Sequence, residues 1–306
     1  MRVLVTGSSS HLARALLPHL CHHPAISVVT GIDWQPPVYT HPNFRALHAD
    51  LRQLMPETHL AQHDAWIHLA WIVLRGTTPL HIMREINLTT SQRWFDAASR
   101  LQLPRSIHVS SASVYGHGDL LDESAPLRPL AGFHYAEHKT ELEHWLDAHH
   151  PHVVRLRPHI ILGKHAQPLL KRIVRLPFYP QLPEPLPLLQ CVHEDDVARA
   201  IVAALTRPVQ GVFNLAAGDT FSLRDAIRQH HPLALALPPA LIHALLRTLW
   251  RINGFGGEPG WFQGVRNNLT LDCSKARQDL DWQAEVTPRQ MFDELHARPA
   301  MHRNAA

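Results

Sequence analysis

The chain has 306 residues, 45% of them apolar and 18% charged, with a formal charge of +3. Such a composition fits a globular protein with one large domain or a core plus a second lobe, and no apolar run nears the ~20 residues of a membrane-spanning helix. No Lys/Arg block marks a nucleic-acid surface, and the three cysteines, Cys21, Cys191 and Cys273, are spaced too widely for a disulfide framework and read as reduced, buried thiols.

A strand at 3–6 starts almost at the first residue, leaving no room for a secretory leader, so a cytoplasmic protein is expected. A loop and a helix at 11–20 follow, then strands at 27–32, 44–48 and 65–70. A helix at 82–101 begins just after Pro79, where proline is tolerated in a first turn. A strand at 106–110, a helix at 135–148 and a strand at 153–157 complete the regular part. Short β-rich runs alternating with helix-period segments predict βαβ units and a parallel sheet, hence an α/β, doubly wound Rossmann fold. After Pro158 the regularity weakens, with proline-rich stretches at 177–187 and 232–239 and a helix-period segment at 240–252. The expected division is a nucleotide-binding core at 1–158 and a smaller C-terminal substrate lobe at 159–306, interleaved with late sheet strands at 188–216. The 26 histidines include pairs beside prolines at helix ends, without the HExxH spacing of a helical zinc site, and no metal is expected.

Between the first strand and first helix stands Thr6-Gly7-Ser8-Ser9-Ser10-His11-Leu12-Ala13. At this junction backbone N–H groups and the helix dipole can hold a pyrophosphate, which points to Gly7, Ser9, Ser10, His11 and Leu12 as cofactor contacts. The loop resembles the T-G-x-x-G-x-x-G segment of short-chain dehydrogenases/reductases, with Ser10 and Ala13 in place of its second and third glycines. Ser10 puts a side chain where little space is expected. Asp33, at the tip of the second strand, has the spacing of a carboxylate that takes the adenosine ribose hydroxyls. Trp34 follows where an NADP enzyme often has arginine, so NAD is the expected cofactor.

Tyr135 and Lys139 lie four apart, on one face of a helix. A free phenol, with a pKa of about 10, is a poor base near neutrality, and a neighbouring ammonium favours its phenolate. Ser110-Ser111-Ala112-Ser113-Val114-Tyr115-Gly116 ends the fifth strand, at the sheet edge where ligands bind in open α/β folds. It resembles the S-S-x-x-V-Y-G segment of the same family. That match makes Ser111 the serine that bonds the substrate oxygen, leaving Ser113 as a turn residue and Tyr115 for packing. By resemblance, Asp50 and Leu51 form the adenine side, Leu69 and Ala70 the loop beneath the cofactor, and Asn87 the helix asparagine that supports the site.

Further segments extend the resemblance over nearly the whole chain: Arg155-Leu156-Arg157-Pro158 through Gly163, Cys191-Val192-His193-Glu194-Asp195-Asp196-Val197-Ala198, and Asp272-Cys273-Ser274-Lys275-Ala276 with Leu280-Asp281-Trp282. It is to extended short-chain dehydrogenases/reductases, the NAD-dependent epimerase/dehydratase family. This implies hydride transfer at a secondary alcohol or ketone, with Tyr135 as acid/base, Ser111 steadying the oxygen and Lys139 on the ribose, and a homodimer as the family-level assembly. Two positions depart from the sugar-nucleotide pattern, Ile160 standing for a usual asparagine and Leu189 for a usual arginine. A small, apolar substrate is therefore expected, although Arg172, Arg175 or Arg266 offers another source of phosphate contacts. The rival readings are a nucleotide-sugar epimerase or dehydratase that retains NAD, and a non-catalytic dinucleotide sensor or scaffold.

Overall fold

The computed structural model describes residues 1–74, 76, 78–242, 244, 248 and 263–297. In chain order the first half runs β1 (Arg2–Thr6), α1 (His11–His22), β2 (Val28–Asp33), β3 (Phe44–His48), α2 (Pro56–Leu60), β4 (Ala65–His68), α3 (Leu80–Arg84), α4 (Ser91–Arg100), β5 (Arg105–Val109), β6 (Gly118–Leu121) and α5 (His134–His149). The second half runs β7 (Val154–Pro158), β8 (Ile160–Leu162), α6 (Pro168–Val174), β9 (Phe178–Pro180), β10 (Cys191–His193), α7 (Glu194–Thr206), β11 (Val212–Leu215), α8 (Leu223–Arg228), β12 (Leu235–Leu237), β13 (Leu269–Leu271), α9 (Ser274–Asp279) and α10 (Pro288–His296).

Seven strands form one sheet in the order β3-β2-β1-β4-β5-β7-β11, every neighbouring pair parallel. The chain builds outward from β1 to β3 and then restarts at β4 on the other side of β1. The carboxyl ends of β1 and β4 therefore flank the point where strand order reverses, the place where open α/β sheets bind ligands. Alternation along β1 feeds both layers: Val3 and Val5 pack with Leu16, Leu17 and Leu20 of α1, while Leu4 packs with Trp66, Trp94 and Phe95. Apolar residues thus cover both faces, as a fully buried parallel sheet requires.

The predicted helix at 82–101 proves to be composite. It starts at Leu80 with Pro79 as its N-cap, passes through a π-helical turn at Glu85–Thr90 and continues as α4. Periodicity alone does not show such a turn, because one inserted residue leaves the apolar face nearly intact. The π turn carries Asn87, fully buried. Beyond Pro158 the chain adds β11 to the main sheet, whereas β8 with β10, β6 with β13 and β9 with β12 make two-stranded parallel pairs. These strands of three or four residues are too short to carry a legible period. Most of the predicted helix at 240–252, including His243 and Arg247, lies outside the described residues. Among the described residues no helix is long and apolar enough to cross a membrane, and Cys21, Cys191 and Cys273 are all buried free thiols.

Candidate active site

A cavity of about 630 Å³ opens along the carboxyl edge of the sheet, from the β1–α1 loop past β5 and α5 to the segment after β7. At its first end Gly7 has φ +82, a conformation that favours glycine, and a Cβ there would lie 2.4 Å from the Ala70 amide nitrogen. The β1–α1 loop thus rests directly on the Leu69-Ala70 backbone. Ser10 does not crowd this loop: with φ −65 it is the N-cap of α1, its hydroxyl accepting the Ala13 N–H at 3.3 Å. The sequence reading priced the added side chain but not the cap it supplies. Asp33 anchors the same end, its carboxylate accepting the Ser9 N–H at 2.9 Å and the Gln35 N–H at 2.8 Å.

Asp50 lies across from Asp33 and is gripped by Arg52, whose Nε and Nη2 donate to it at 3.0 and 2.6 Å. These bonds hold the Asp50 carboxyl below its ordinary range. Arg52 is therefore committed to a carboxylate at this end of the cavity, and Trp34, 47% exposed, also lines it. Leu12, Leu51, Leu69 and Ala70 complete the wall, and His11 joins it with its proton affinity lowered by burial. Asn87 sits behind the wall: its Oδ1 accepts the Ile72 N–H at 2.8 Å and its Nδ2 donates to the Ile72 carbonyl at 3.1 Å. It fixes the backbone after Ala70 from the far side.

Ser111, Tyr135 and Lys139 converge on the middle of the cavity. Ser111 caps the short turn Ala112–Tyr115, accepting the Ser113 N–H at 3.2 Å and the Ser113 hydroxyl at 3.0 Å. Its own proton is left for the Tyr135 oxygen or a ligand. Desolvation pushes the Tyr135 phenol up to about 12, and the bond with Ser111 works against that rise. Lys139 does not touch the phenol oxygen. Its Nζ donates to the Val109 carbonyl at 2.6 Å, lies 3.6 Å from the centre of the Trp71 ring and 6.0 Å from that of Tyr135. Burial drives its proton affinity well below the ordinary lysine value. In this arrangement desolvation and the Ser111 bond act on the tyrosine, and the Lys139 ammonium stands 6.0 Å from its ring centre.

Behind the triad lies a buried polar brace. The Ser110 hydroxyl donates to Glu143 at 2.5 Å, Arg157 bonds Glu143 with Nε at 2.9 Å and Nη2 at 2.5 Å, and its Nη1 donates to the Tyr115 hydroxyl, which donates to Asn214 at 2.8 Å. Tyr115 is therefore part of a network as well as packed, and Glu143 ties the Ser110–Ser111 junction to α5 one turn past Lys139.

The far end is formed by His159, Ile160, Ile161, His165, Ala166, Leu169, Leu170 and Leu269, with Phe133 and Leu74. Ile160 faces the cavity, whereas Leu189 does not: it is 3% exposed and paired with Phe221 through two 2.8 Å backbone bonds. Among the described residues the cationic side chains on the wall are Arg14, Arg52 and Lys139, and Arg14 lies near enough to His165 to lower its proton affinity. Arg175 is spent on the Leu295 carbonyl, and neither Arg172 nor Arg266 reaches the wall. Glu194 adds a buried carboxyl, accepting the His165 N–H at 2.9 and 3.0 Å and pushed up to about 7 by desolvation. Sequence reasoning missed Trp71, Phe133, His165 and Glu194; the aromatic directly after Ala70 was the one visible signal.

Among solved structures the chain is similar to MoeE5 in complex with UDP-glucuronic acid and NAD (TM-score 0.78, 22% identical, 96% of this chain and 97% of that one). It is similar to the UDP-glucuronic acid 4-epimerase of Bacillus cereus with UDP-glucuronic acid and NAD (0.75, 20%, 96% and 97%). It also matches DesIV, a dTDP-glucose 4,6-dehydratase of Streptomyces venezuelae with NAD bound (0.72, 20%, 96% and 96%). At these identities the likeness speaks for the fold. An uncharacterized protein of Mycobacterium bovis is 24% identical over 95% of this chain and 82% of its own length. Residues 3–216, more than half of the chain, match the model of the NAD dependent epimerase/dehydratase family. The chain belongs to that family, enzymes of the extended short-chain dehydrogenase/reductase type whose cofactor is NAD.

Proposed function

We propose that this protein transfers hydride between NAD and a secondary alcohol or ketone of a small, apolar substrate, using Ser111, Tyr135 and Lys139. The observation that carries the reading is a single cavity holding this triad between two unlike ends. One is built of backbone donors and Asp33; the other is lined mainly by aliphatic side chains, with Glu194 and, near His165, Arg14 as its charged groups. The residues fit NAD: Gly7 permits close approach of the backbone, the α1 N-terminus faces the cavity, and Asp33 stands where the ribose hydroxyls of an adenosine would lie. An NADP 2′-phosphate would meet Asp33 and find Arg52 already paired.

When bound, NAD supplies the hydride acceptor and, oxidised, a positive charge that favours phenolate. Tyr135 takes the substrate hydroxyl proton, or gives it back to a ketone, while Ser111 donates to the reacting oxygen. With its phenol pushed up to about 12, Tyr135 carries its proton at neutral pH and is ready as an acid for a ketone. Lys139, locked on Val109, keeps a remaining N–H for a ribose hydroxyl.

A second reading, a nucleotide-sugar epimerase or dehydratase with retained NAD, draws on the UDP- and dTDP-sugar chemistry named for the solved relatives. A diphosphate there would have Arg14 as a wall cation but would forgo the further charge-assisted bonds, roughly 1.5–3 kcal/mol each, that polar side chains in place of Ile160 and Leu189 would supply. A dinucleotide sensor has no chemical use for the convergence of Ser111, Tyr135 and Lys139. The deciding assay presents the NAD-loaded protein with sugar nucleotides beside apolar secondary alcohols and ketones, and follows binding and turnover.

A further inference from the structure

Lys139 is 3% exposed, and among the described residues no carboxylate lies within ion-pair distance of it. Glu143, one turn further along α5, has its oxygens taken by Arg157 and Ser110. The ammonium has one backbone acceptor, the Val109 carbonyl at 2.6 Å, and one large neighbour, the Trp71 ring face at 3.6 Å. A cation over an indole face in a dry site is attracted about as strongly as by a hydrogen bond to a charged group.

The ring is held for this task. Asn87 clamps the next residue, Ile72, through both backbone groups, and the π turn at Glu85–Thr90 carries Asn87 into reach. Trp71 also packs against the core layer of Trp66 and Trp94, with the His108 ring 5.7 Å away. Among the described residues the indole nitrogen has no hydrogen-bond partner, so the contact of the ring with Lys139 is through its face.

We infer that Trp71 is a positioning residue: its ring holds the Lys139 ammonium over the cavity, with one N–H left to meet the cofactor ribose. Of the three protons on Nζ, one goes to Val109 and one faces the ring, so the third is aimed by the other two. The inference rests on the reading of Lys139 as the ribose ligand. The lysine is thereby aimed by an aromatic face, not by a carboxylate.

The test is a double-mutant cycle read by calorimetric NAD affinity, with melting temperature as the fold control. Trp71→Phe keeps a face and drops the unused N–H, so NAD should bind within about threefold of wild type. Trp71→Leu keeps apolar bulk without a face and should weaken NAD by about tenfold or more, at a melting temperature close to that of Trp71→Phe. In a Lys139→Met background, Trp71→Leu should cost nothing further. Equal weakening in that background would mean that the ring packs on the cofactor itself and would overturn the proposal, as would Trp71→Phe as weak as Trp71→Leu, or Trp71→Leu as tight as wild type. Wild-type protein that fails to bind NAD would instead sink the cofactor reading, a separate result.

Discussion

The two ends of the cavity are made by different physics. At the adenosine end main-chain geometry does the work: Gly7 lies on Ala70, Ser10 caps α1, and Asp33 is fixed by the N–H groups of Ser9 and Gln35. At the substrate end side chains from distant segments meet, Ile160, Leu169 and Leu269 with Phe133, and the one buried acid, Glu194, has a single backbone donor. On the proposed reading the first end meets a shape common to all dinucleotides, and the second, mainly aliphatic, offers a charged ligand few partners.

The brace between the ends gives the largest expected effect. Arg157→Met leaves Glu143 buried without its partner, a loss of roughly 3–5 kcal/mol. Denaturant melts should show it, and a loss below ~1 kcal/mol would mean that the brace is not what joins β5 to α5. Tyr135→Phe probes the middle: it removes the proton carrier and keeps the ring, so turnover should fall at least about 10²-fold while NAD affinity persists. Undiminished turnover would remove Tyr135 from the mechanism.

What was legible in the sequence follows the same division. Strand alternation, the loop after β1, Asp33, and the four-residue spacing of Tyr135 and Lys139 are local, so residue type and position revealed them. The π turn that carries Asn87, the seating of Trp71 on Lys139, and the burial of Leu189 against Phe221 depend on partners 15 to 70 residues away, roughly the separations at which no periodic pattern reports a contact. The cap that Ser10 supplies went unread for a third reason: capping is local, but a glycine-pattern comparison counts only what is lost. Arg157 was visible as a family segment, yet its bond to Glu143 was not, since neither residue signals burial.

The adenosine end can be sharpened by cofactor choice. With Asp33 keeping acceptor capacity for ribose hydroxyls beside the Ser9 and Gln35 N–H groups, and Arg52 committed to Asp50, NAD should bind at least about tenfold tighter than NADP, or roughly 1.4 kcal/mol. Equal affinity in a titration would displace Asp33 as the ribose ligand. The substrate end has its own, smaller probe. The carboxyl of Glu194 is raised to about 7 in the folded chain from an ordinary 4.5, so folding favours its protonated form. The stability it confers is full below the unfolded value and is lost as pH rises from about 4.5 through 7. Glu194→Gln, which can still accept the His165 N–H, should flatten that decline. Its melting temperature relative to wild type should rise by at least about 2 °C between pH 5 and pH 8, the shift that ~1 kcal/mol gives in a large domain. An unchanged difference across that range would mean that the carboxyl ionises freely in the cavity.

The proposed contrast between a polar cofactor end and a mainly aliphatic substrate end is tested most directly by calorimetric titration of the NAD-loaded protein with UDP-glucose, UDP-glucuronic acid and dTDP-glucose, beside a panel of apolar secondary alcohols and ketones followed by NADH absorbance. The account predicts turnover of an apolar alcohol or ketone and no micromolar binding of any sugar nucleotide. Micromolar binding and turnover of a sugar nucleotide would contradict it and make a nucleotide-sugar epimerase or dehydratase the function of this chain.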